Sequence, residues 1–174
     1  RNGDEKRVGK DCGGGGGFGV VTGIEVRLHP ASTVYAGNLF YPPHLAKEIY
    51  RRYIQWVKDM PDEMTCSIVS FNFPPLPDLL PPELSGKSFV LVRGCYVGPV
   101  EEAEKLLDYW RSWQLPLIDD FKARPFIEAD IISMDPVDPS PAVLSGEWLA
   151  DLNEEIADAL IRFTLPPDGL LPGG

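Results

Sequence analysis

The sequence predicts an α+β fold in which amphipathic helices cover one face of a mainly antiparallel sheet, with a ferredoxin-like β-α-β-β-α-β core. Three observations predict it. From residue 34 onward, β-rich runs alternate with amphipathic stretches in that order, two of the runs are joined by a proline-rich connection, and the first two amphipathic stretches end at prolines. A doubly wound nucleotide-binding fold is excluded, because its sheet needs repeated βα units.

The strands are predicted from alternating or β-rich composition. In the run FGVVTGIEVRLHP, Ile24, Val26 and Leu28 alternate with charged residues, which indicates a half-buried strand that ends at Pro30. Further strands are predicted at residues 34–41, 64–73, 88–96 and, as a short one, 117–121. The five prolines of residues 74–87 indicate a long, stiff hairpin connection.

The helices are predicted from apolar residues that recur every three or four positions. They cover residues 43–60, 99–115 and 147–163, with a short helix at residues 126–132. Gly98 and Pro99 are typical of a helix start, with glycine at the cap and proline at the first position. Asn153 is placed to cap the main part of the last helix.

Composition and charge exclude several classes of protein. The 174 residues carry a net charge of −10, which argues against a nucleic-acid partner and against docking to an anionic membrane surface. No apolar run is long enough to span a bilayer. The three cysteines, an odd number at wide spacings, are neither a disulfide framework nor a zinc ligand set. A soluble protein of a reducing compartment such as the cytoplasm fits, and an oxidising compartment stays open.

The chain is predicted to consist of three parts. Residues 1–17 form a flexible, glycine-rich arm, residues 18–164 form the α+β domain, and residues 165–174 form a tail of proline and glycine. Because the chain does not begin at Met, we expect it to be a piece of a longer protein.

The run of five glycines from Gly13 to Gly17 is the first candidate for a binding site, because glycine-rich loops cradle phosphates. A P-loop needs Lys followed by Ser or Thr, whereas Phe18 and Gly19 follow here. Two interpretations stay open. The run is either a flexible linker or a backbone stretch that approaches another group closely, since glycine has no Cβ.

The residue types predict no catalytic constellation and no metal site. His29 and His44, the two histidines, have no Cys or Asp partner at metal or triad spacing. Arg93 is a charge in an otherwise apolar strand; it suits an acidic substrate, but a salt bridge or a solvent-facing position is favoured.

The remaining candidates are aromatic and acidic side chains. Most of the strand aromatics are expected in the core, and on a sheet face without helices they would wall a ligand site; they are Tyr35, Phe40, Tyr41, Phe71, Phe73, Phe89 and Tyr96. The paired carboxylates Glu101-Glu102 and Asp119-Asp120 are predicted to be solvated.

The junction between the arm and the domain resembles that of a known family. The glycine run, Phe18-Gly19-Val20-Val21-Thr22 and the closing Leu-His-Pro are similar to the berberine-bridge-enzyme-like FAD-linked oxidases, of the vanillyl-alcohol-oxidase/PCMH-type flavoprotein superfamily. In that family Asn stands where this chain has Gly17. Later segments are similar to the family's substrate-binding domain and follow in the expected order: VYAGNLFYP, PDEMT, PPLP, VRGCYVG and LNEEIADAL.

The resemblance implies a substrate-binding domain fragment of an FAD-dependent oxidoreductase. The parent would oxidise a small organic substrate by hydride transfer to the flavin, with oxygen as acceptor. The residues implied to contact FAD are Gly16, Gly17, Phe18, Gly19, Val20 and Val21. The family's flavin domain, with its covalent attachment residues, has no counterpart in this sequence. We therefore expect the chain alone to be inactive and to bind no FAD.

The alternative, from another class, is a stand-alone, non-catalytic binding or oligomerisation module without flavin. The resemblance also implies that later strands of the parent sheet are missing. An unpaired strand edge and an uncovered aromatic face would then favour a homodimer.

Overall fold

A computed structural model describes residues 22–23, 25–28, 30–78, 80–135 and 143–165. The chain divides into two units, Arg1–Pro30 and Ala31–Gly174. In the first unit the described residues form neither helix nor strand, and Val26 and Leu28 are exposed. The strand predicted there is therefore wrong for residues 25–28. Alternation marks residues that suit a strand, but a strand also needs a neighbour for its backbone hydrogen bonds.

The second unit contains one antiparallel sheet. Its strands are β1 (Thr33–Tyr41), β2 (Met64–Asn72), β3 (Ser88–Tyr96), β4 (Ile118–Asp119) and β5 (Lys122–Pro125). The order is β2-β3-β1-β4, and β5 also pairs with β1, so the last two short strands together occupy one edge. β2 and β3 form a hairpin, and β3 lies between β2 and β1. This order is that of a ferredoxin-like sheet. The helix that follows β1 crosses the sheet, so β2 is separated from β1 by one strand, β3.

Helices connect and cover the strands. They are α1 (Ala46–Trp56), α2 (Val100–Arg111) and α3 (Glu154–Thr164), with 3₁₀ segments at Pro43–Leu45, Val57–Asp59 and Phe126–Ser133. The predicted α+β class is confirmed. Within the described ranges, no helix is long and apolar enough to cross a membrane.

The boundaries follow the sequence signals closely, with two exceptions. α2 has Pro99 rather than Gly98 at its cap and ends at Arg111, four residues before the predicted end. The strands predicted at residues 34–41, 64–73 and 88–96 are confirmed to within one residue. The last helix begins only at Glu154, and residues 147–153 are not helical. Asn153 is its cap, since its Oδ1 accepts a hydrogen bond of 3.0 Å from the backbone N–H of Ile156. The cap therefore marks the start of the whole helix.

The two faces of the sheet carry different residues. On the helix face, the strands pack against α1 and α2 in one apolar cluster that includes Leu39, Val92, Ile49, Leu107 and Trp110. The opposite side is called the second face. Its residues alternate with those of the helix face and include Val34, Ala36, Asn38 and Phe40 on β1, Phe89, Leu91, Arg93 and Cys95 on β3, and Thr65, Ser67, Val69 and Phe71 on β2.

A glycine pair lets the edge of the sheet close over the helix face. Gly37 and Gly94 lie opposite each other on β1 and β3. A Cβ on Gly37 would lie 2.5 Å from the Cα of Phe121, and one on Gly94 would lie 3.3 Å from the Phe121 ring. The Phe121 ring stacks on Tyr35, with centroids 5.9 Å apart. Phe121 thus fills space that two side chains would otherwise occupy.

Candidate functional site

The second face is the candidate site, because a polar row crosses its centre. Asn38 on β1 pairs with Arg93 on β3, and Arg93 pairs with Ser67 on β2. Side chains paired across strands have Cβ atoms about 5 Å apart. Asn38, Arg93 and Ser67, called the polar row below, therefore run side by side across three strands.

Apolar residues border the polar row on both sides. On one side Phe40, Phe73, Phe89 and Leu91 form a buried cluster, with half-buried side chains packed against it: Val69, Phe71, Leu80, Leu84, Ile118 and Met134. On the other side Val34 and Ala36 pack with Ile132. An arginine in the middle of such a face loses hydration, which is unfavourable unless polar groups replace the water.

Hydrogen bonds hold the Arg93 guanidinium in place. Its Nε donates to Asn38 Oδ1 at 2.9 Å, and its Nη2 donates to the backbone carbonyl of Ser133 at 3.1 Å. Asn38 is fully buried and donates from Nδ2 to the carbonyl of Ile132 at 3.1 Å. The end of the 3₁₀ segment Phe126–Ser133 is thereby tied to the sheet through Asn38 and Arg93.

The surroundings of Arg93 differ from both favoured sequence interpretations. It forms no ion pair within the described residues, and it is half-buried rather than solvent-facing. Burial lowers the pKa of the guanidinium, and the negative charges of Asp135 and Asp120 act in the opposite direction. The group stays protonated at any ordinary pH. It is a fixed positive charge at the centre of the face.

The predicted aromatic residues divide between the two faces. Tyr35, Tyr41 and Tyr96 belong to the helix-face cluster, and Phe40, Phe71, Phe73 and Phe89 belong to the second face. Phe71 and Phe73 lie with their ring centroids 4.5 Å apart, and Phe89 meets Phe40 and Phe73 edge-on. The aromatic residues of the candidate site are thus phenylalanines, which carry no hydroxyl group.

Several acidic residues predicted to be solvated have partners. Asp119 forms an ion pair of 2.7 Å with Arg111. Asp120 pairs with Arg124 at 3.4 Å, and its Oδ1 accepts a hydrogen bond from the backbone N–H of Asn38. Both aspartates lie at the break between β4 and β5, so their carboxylates fasten the sheet edge rather than serve as free acids.

A cavity of about 460 Å³ lies at the start of α2. Its walls include Glu63, Glu102, Lys105 and Tyr96. The Tyr96 hydroxyl donates to Glu102 Oε2 at 2.8 Å, and this bond, followed by burial, raises the pKa of the tyrosine. Glu101 and Glu102 are both exposed, as the sequence predicts, and Glu102 accepts this one hydrogen bond in addition.

The cavity at the start of α2 does not suit a dinucleotide such as FAD, because two carboxylates in its wall repel a pyrophosphate. The residues predicted to contact FAD, from Gly16 to Val21, lie outside the described residues. His29 and Cys12 lie outside them as well, and His44 is exposed on a 3₁₀ segment. In the described part of the chain, no group of three His, Cys, Asp or Glu side chains could hold a metal ion.

Sequence reasoning found Arg93 but missed the groups that hold it. Asn38 has a recognisable signal, because it is a polar residue inside the apolar run VYAGNLFY. The carbonyls of Ile132 and Ser133 have none, since every residue carries such a group. Their role depends on the 3₁₀ segment lying across the second face.

Comparison with known proteins points to flavin enzymes. No family profile matches the chain. A protein of Dictyostelium discoideum named an FAD-linked oxidoreductase is 27% identical over 118 residues, which is 67% of this chain and 23% of that protein. An uncharacterized FAD-linked oxidoreductase of Bacillus subtilis, YgaK, is 28% identical over 155 residues, which is 88% of this chain and 32% of that protein.

The chain is thus similar to about a quarter or a third of the length of these relatives. Both relatives are named FAD-linked oxidoreductases, which supports FAD as the cofactor of the family. The substrates of the two relatives are not part of their names.

Proposed function

We propose that this chain is the substrate-binding part of an FAD-dependent oxidoreductase of the berberine-bridge-enzyme-like kind. The parent would oxidise a small organic substrate by transfer of a hydride to the flavin, with oxygen as the electron acceptor. The similarity to two proteins named FAD-linked oxidoreductases supports the cofactor. The junction motif around Phe18 supports the finer assignment.

The observation that carries the substrate-binding role is the polar row on the second face. Ligand sites in proteins are mostly apolar, with a few fixed polar groups that orient the ligand. The second face has this composition: phenylalanines and aliphatic residues surround one guanidinium held by Asn38 and Ser133. The helix face is instead covered by α1 and α2, which bury its apolar residues.

In the parent protein, residues Gly16 to Val21 and a flavin-binding domain outside this sequence would make the flavin contacts. The described residues receive no role in holding FAD, in keeping with the carboxylates at the cavity near α2. When bound, FAD would supply the hydride-accepting group. The second face would bind and orient the substrate.

The test compares the native gene product with the chain alone. The complete reading frame that contains this sequence should purify with flavin absorbance and release peroxide with some members of a panel of alcohols, amines and sugars. The 174-residue chain should purify colourless and show no saturable FAD binding by fluorescence quenching. A native product without flavin would refute the oxidoreductase proposal, and tight stoichiometric FAD binding by the chain alone would refute its division of roles.

A second candidate, an oligomerisation module, is favoured by the outer edge of β2. This strand runs over Met64–Asn72 and pairs with β3 on one side, with no strand on its other side in the described part of the chain. Unpaired edge groups favour pairing with another copy. The net charge of −10 opposes association, but salt screens charges beyond about 10 Å at 0.1 M.

Sedimentation at micromolar concentration in moderate salt tests this candidate. We expect a homodimer whose population rises with protein concentration. Replacing Ser70 by Pro should weaken association if the edge is the interface, because the backbone N–H of Ser70 points away from β3 and towards the open edge. A monomer of 19.3 kDa at every concentration would exclude the module.

A further inference from the structure

The guanidinium of Arg93 has more donors than the protein uses. An arginine carries five N–H donors. Asn38 and the Ser133 carbonyl accept two of them, so three remain without a partner among the described residues. The buried side-chain polar atoms that lack partners in this part of the chain are on Tyr41, Arg52 and Trp110. Nη1 of Arg93, which carries two of the three unused donors, is not one of these atoms, and the residue is half-buried.

Anchoring the 3₁₀ segment does not by itself explain an arginine at this position. Asn38 already ties the segment to β1 through the Ile132 carbonyl. A neutral donor at position 93 would suffice for one further bond to the Ser133 carbonyl. The charge and the unused donors are what distinguish Arg93 from such a residue.

The neighbours of Arg93 on β2 complete a surface for a ligand. Ser67, its partner in the polar row, is half-buried and its hydroxyl makes no hydrogen bond within the described residues. Val69 lies two residues further along the strand, about 7 Å away on the same face. Phe71 follows, and both Val69 and Phe71 are half-buried, so part of each side chain faces solvent.

We propose that Arg93 binds a carboxylate of the substrate, with Ser67 as a second donor, while the apolar body of the substrate lies over Val69 and Phe71. The planar fork of a guanidinium matches the two oxygens of a carboxylate. This inference rests on the proposed function, which it deepens by naming the substrate class: an organic acid with an apolar or aromatic body. It makes Arg93 a specificity-determining residue.

Two negative charges near Arg93 oppose such a ligand. Asp135 accepts a hydrogen bond of 2.7 Å from the Ser133 hydroxyl, and Asp120 is held by Arg124. Neither forms an ion pair with Arg93. Asp135 is exposed, so its neutralisation alters the field at Arg93 without removing a buried contact. The Asp135→Asn variant should therefore bind a carboxylate more tightly.

The test uses the 174-residue chain and a matched pair of probes, phenylacetate and phenylacetamide. The two have the same shape, and only the first carries a carboxylate. Amide chemical shifts are followed by NMR during each titration. We expect saturable shifts at Ser67, Val69 and Arg93 with phenylacetate, and at least tenfold weaker binding of phenylacetamide.

Variants assign the effect to the guanidinium. Arg93→Gln should lose phenylacetate binding, Arg93→Lys should retain a weakened form, and Asp135→Asn should strengthen it. Arg162→Gln, at an exposed position on α3, removes the same charge elsewhere and should change nothing. The comparison of the two probes on the unmodified chain needs no variant, so it decides the question even if Arg93→Gln fails to fold.

The outcomes separate this inference from the proposed function. No saturable binding of phenylacetate, equal binding of the two probes, or shifts centred away from the polar row would each overturn it, whether or not the native protein contains flavin. Carboxylate binding through Arg93 in a native protein without flavin would leave the site standing and refute the oxidoreductase proposal.

Discussion

The helix face and the second face of the sheet use the same strands but are covered in different ways. On the helix face, α1 and α2 bury a continuous cluster from Leu39 to Trp110. On the second face, two smaller clusters are separated by the polar row, and the described residues that pack over them belong to the 3₁₀ segment, the β2–β3 connection, Ile118 and Met134. Continuous apolar burial supplies stability, whereas an interrupted face keeps a polar group accessible for binding.

The largest expected difference between the faces comes from two leucines, Leu39 and Leu91. Both are fully buried, the first on the helix face and the second on the second face. We expect Leu39→Ala to lower the free energy of unfolding by about 4 kcal/mol and Leu91→Ala by about 2 kcal/mol, the upper and lower parts of the usual range. Half-buried neighbours such as Val69 can shift into the gap left by Leu91. The cluster around Leu39 can adjust less, because it is packed between the sheet and the helices α1 and α2.

Urea denaturation of both variants measures this difference. The slope against urea concentration should stay unchanged, because neither variant alters the surface exposed on unfolding. Equal losses, or a larger loss for Leu91→Ala, would mean that the second face is as rigid as the helix face.

The next effect concerns Gly37, where the sheet edge closes over the helix face. A Cβ at this position would lie 2.5 Å from the Cα of Phe121 and 2.6 Å from its backbone nitrogen. Because backbone atoms cannot move aside as a flexible side chain can, Gly37→Ala should destabilise the fold by about 2–3 kcal/mol. Gly146→Ala is the control, since nothing lies within 4 Å of a Cβ there. Thermal melting of the two variants distinguishes them, and similar melting temperatures would refute the close contact.

A smaller effect is expected from Asn38, which ties the 3₁₀ segment to the second face. Asn38→Ala leaves the Ile132 carbonyl without its donor and Arg93 without one acceptor. A lost buried hydrogen bond of this kind costs about 2 kcal/mol. Hydrogen exchange should accelerate over residues 126–133. Asn153→Ala removes the cap of α3, at about 1 kcal/mol, and should leave exchange in the 3₁₀ segment unchanged; acceleration in both variants would point to global unfolding instead.

The sequence predicts local elements well and the second face only in part. β1, β2 and β3 have strong β-rich runs, and prolines or caps mark the ends of α1 and α3, so these elements follow from nearby residues. Residues 25–28 carry the same alternation without forming a strand, because pairing depends on a neighbour that periodicity does not supply. Trp148 continues the apolar spacing of α3 but lies exposed before the Asn153 cap.

Arg93 shows where sequence reasoning ends. Its position in an apolar strand is visible in the sequence, but its acceptors are not. The Ser133 carbonyl is 40 residues away, and the bond from Asn38 to Ile132 spans 94 residues. Such contacts depend on how the 3₁₀ segment crosses the sheet, which only the folded chain reveals.

The smallest expected effect is a difference in alkylation rate between two thiols, one on each face of the sheet. Cys66 belongs to the helix-face cluster and Cys95 to the second face, and both are half-buried free cysteines. Burial raises the pKa of each thiol. Since the thiolate is the reactive form, less of it is present at pH 8 than for an unperturbed cysteine of pKa about 8.5, and alkylation should be slow there and accelerate as the pH rises.

Tyr53 makes the two thiols distinguishable. Its hydroxyl lies 3.7 Å from the Cys66 sulfur, and this hydrogen bond partly offsets the rise in the pKa of Cys66. Tyr53→Phe should therefore raise that pKa further and slow the alkylation of Cys66 by a small factor, while Cys95, which has no such donor in the described part of the chain, keeps its rate. The measurement is the rate of iodoacetamide labelling from pH 7 to pH 10 in a Cys12→Ser background, with each site quantified by mass spectrometry. If Tyr53→Phe instead opened the helix face, Cys66 would label faster at every pH, so the sign of the change separates loss of a hydrogen bond from loss of packing.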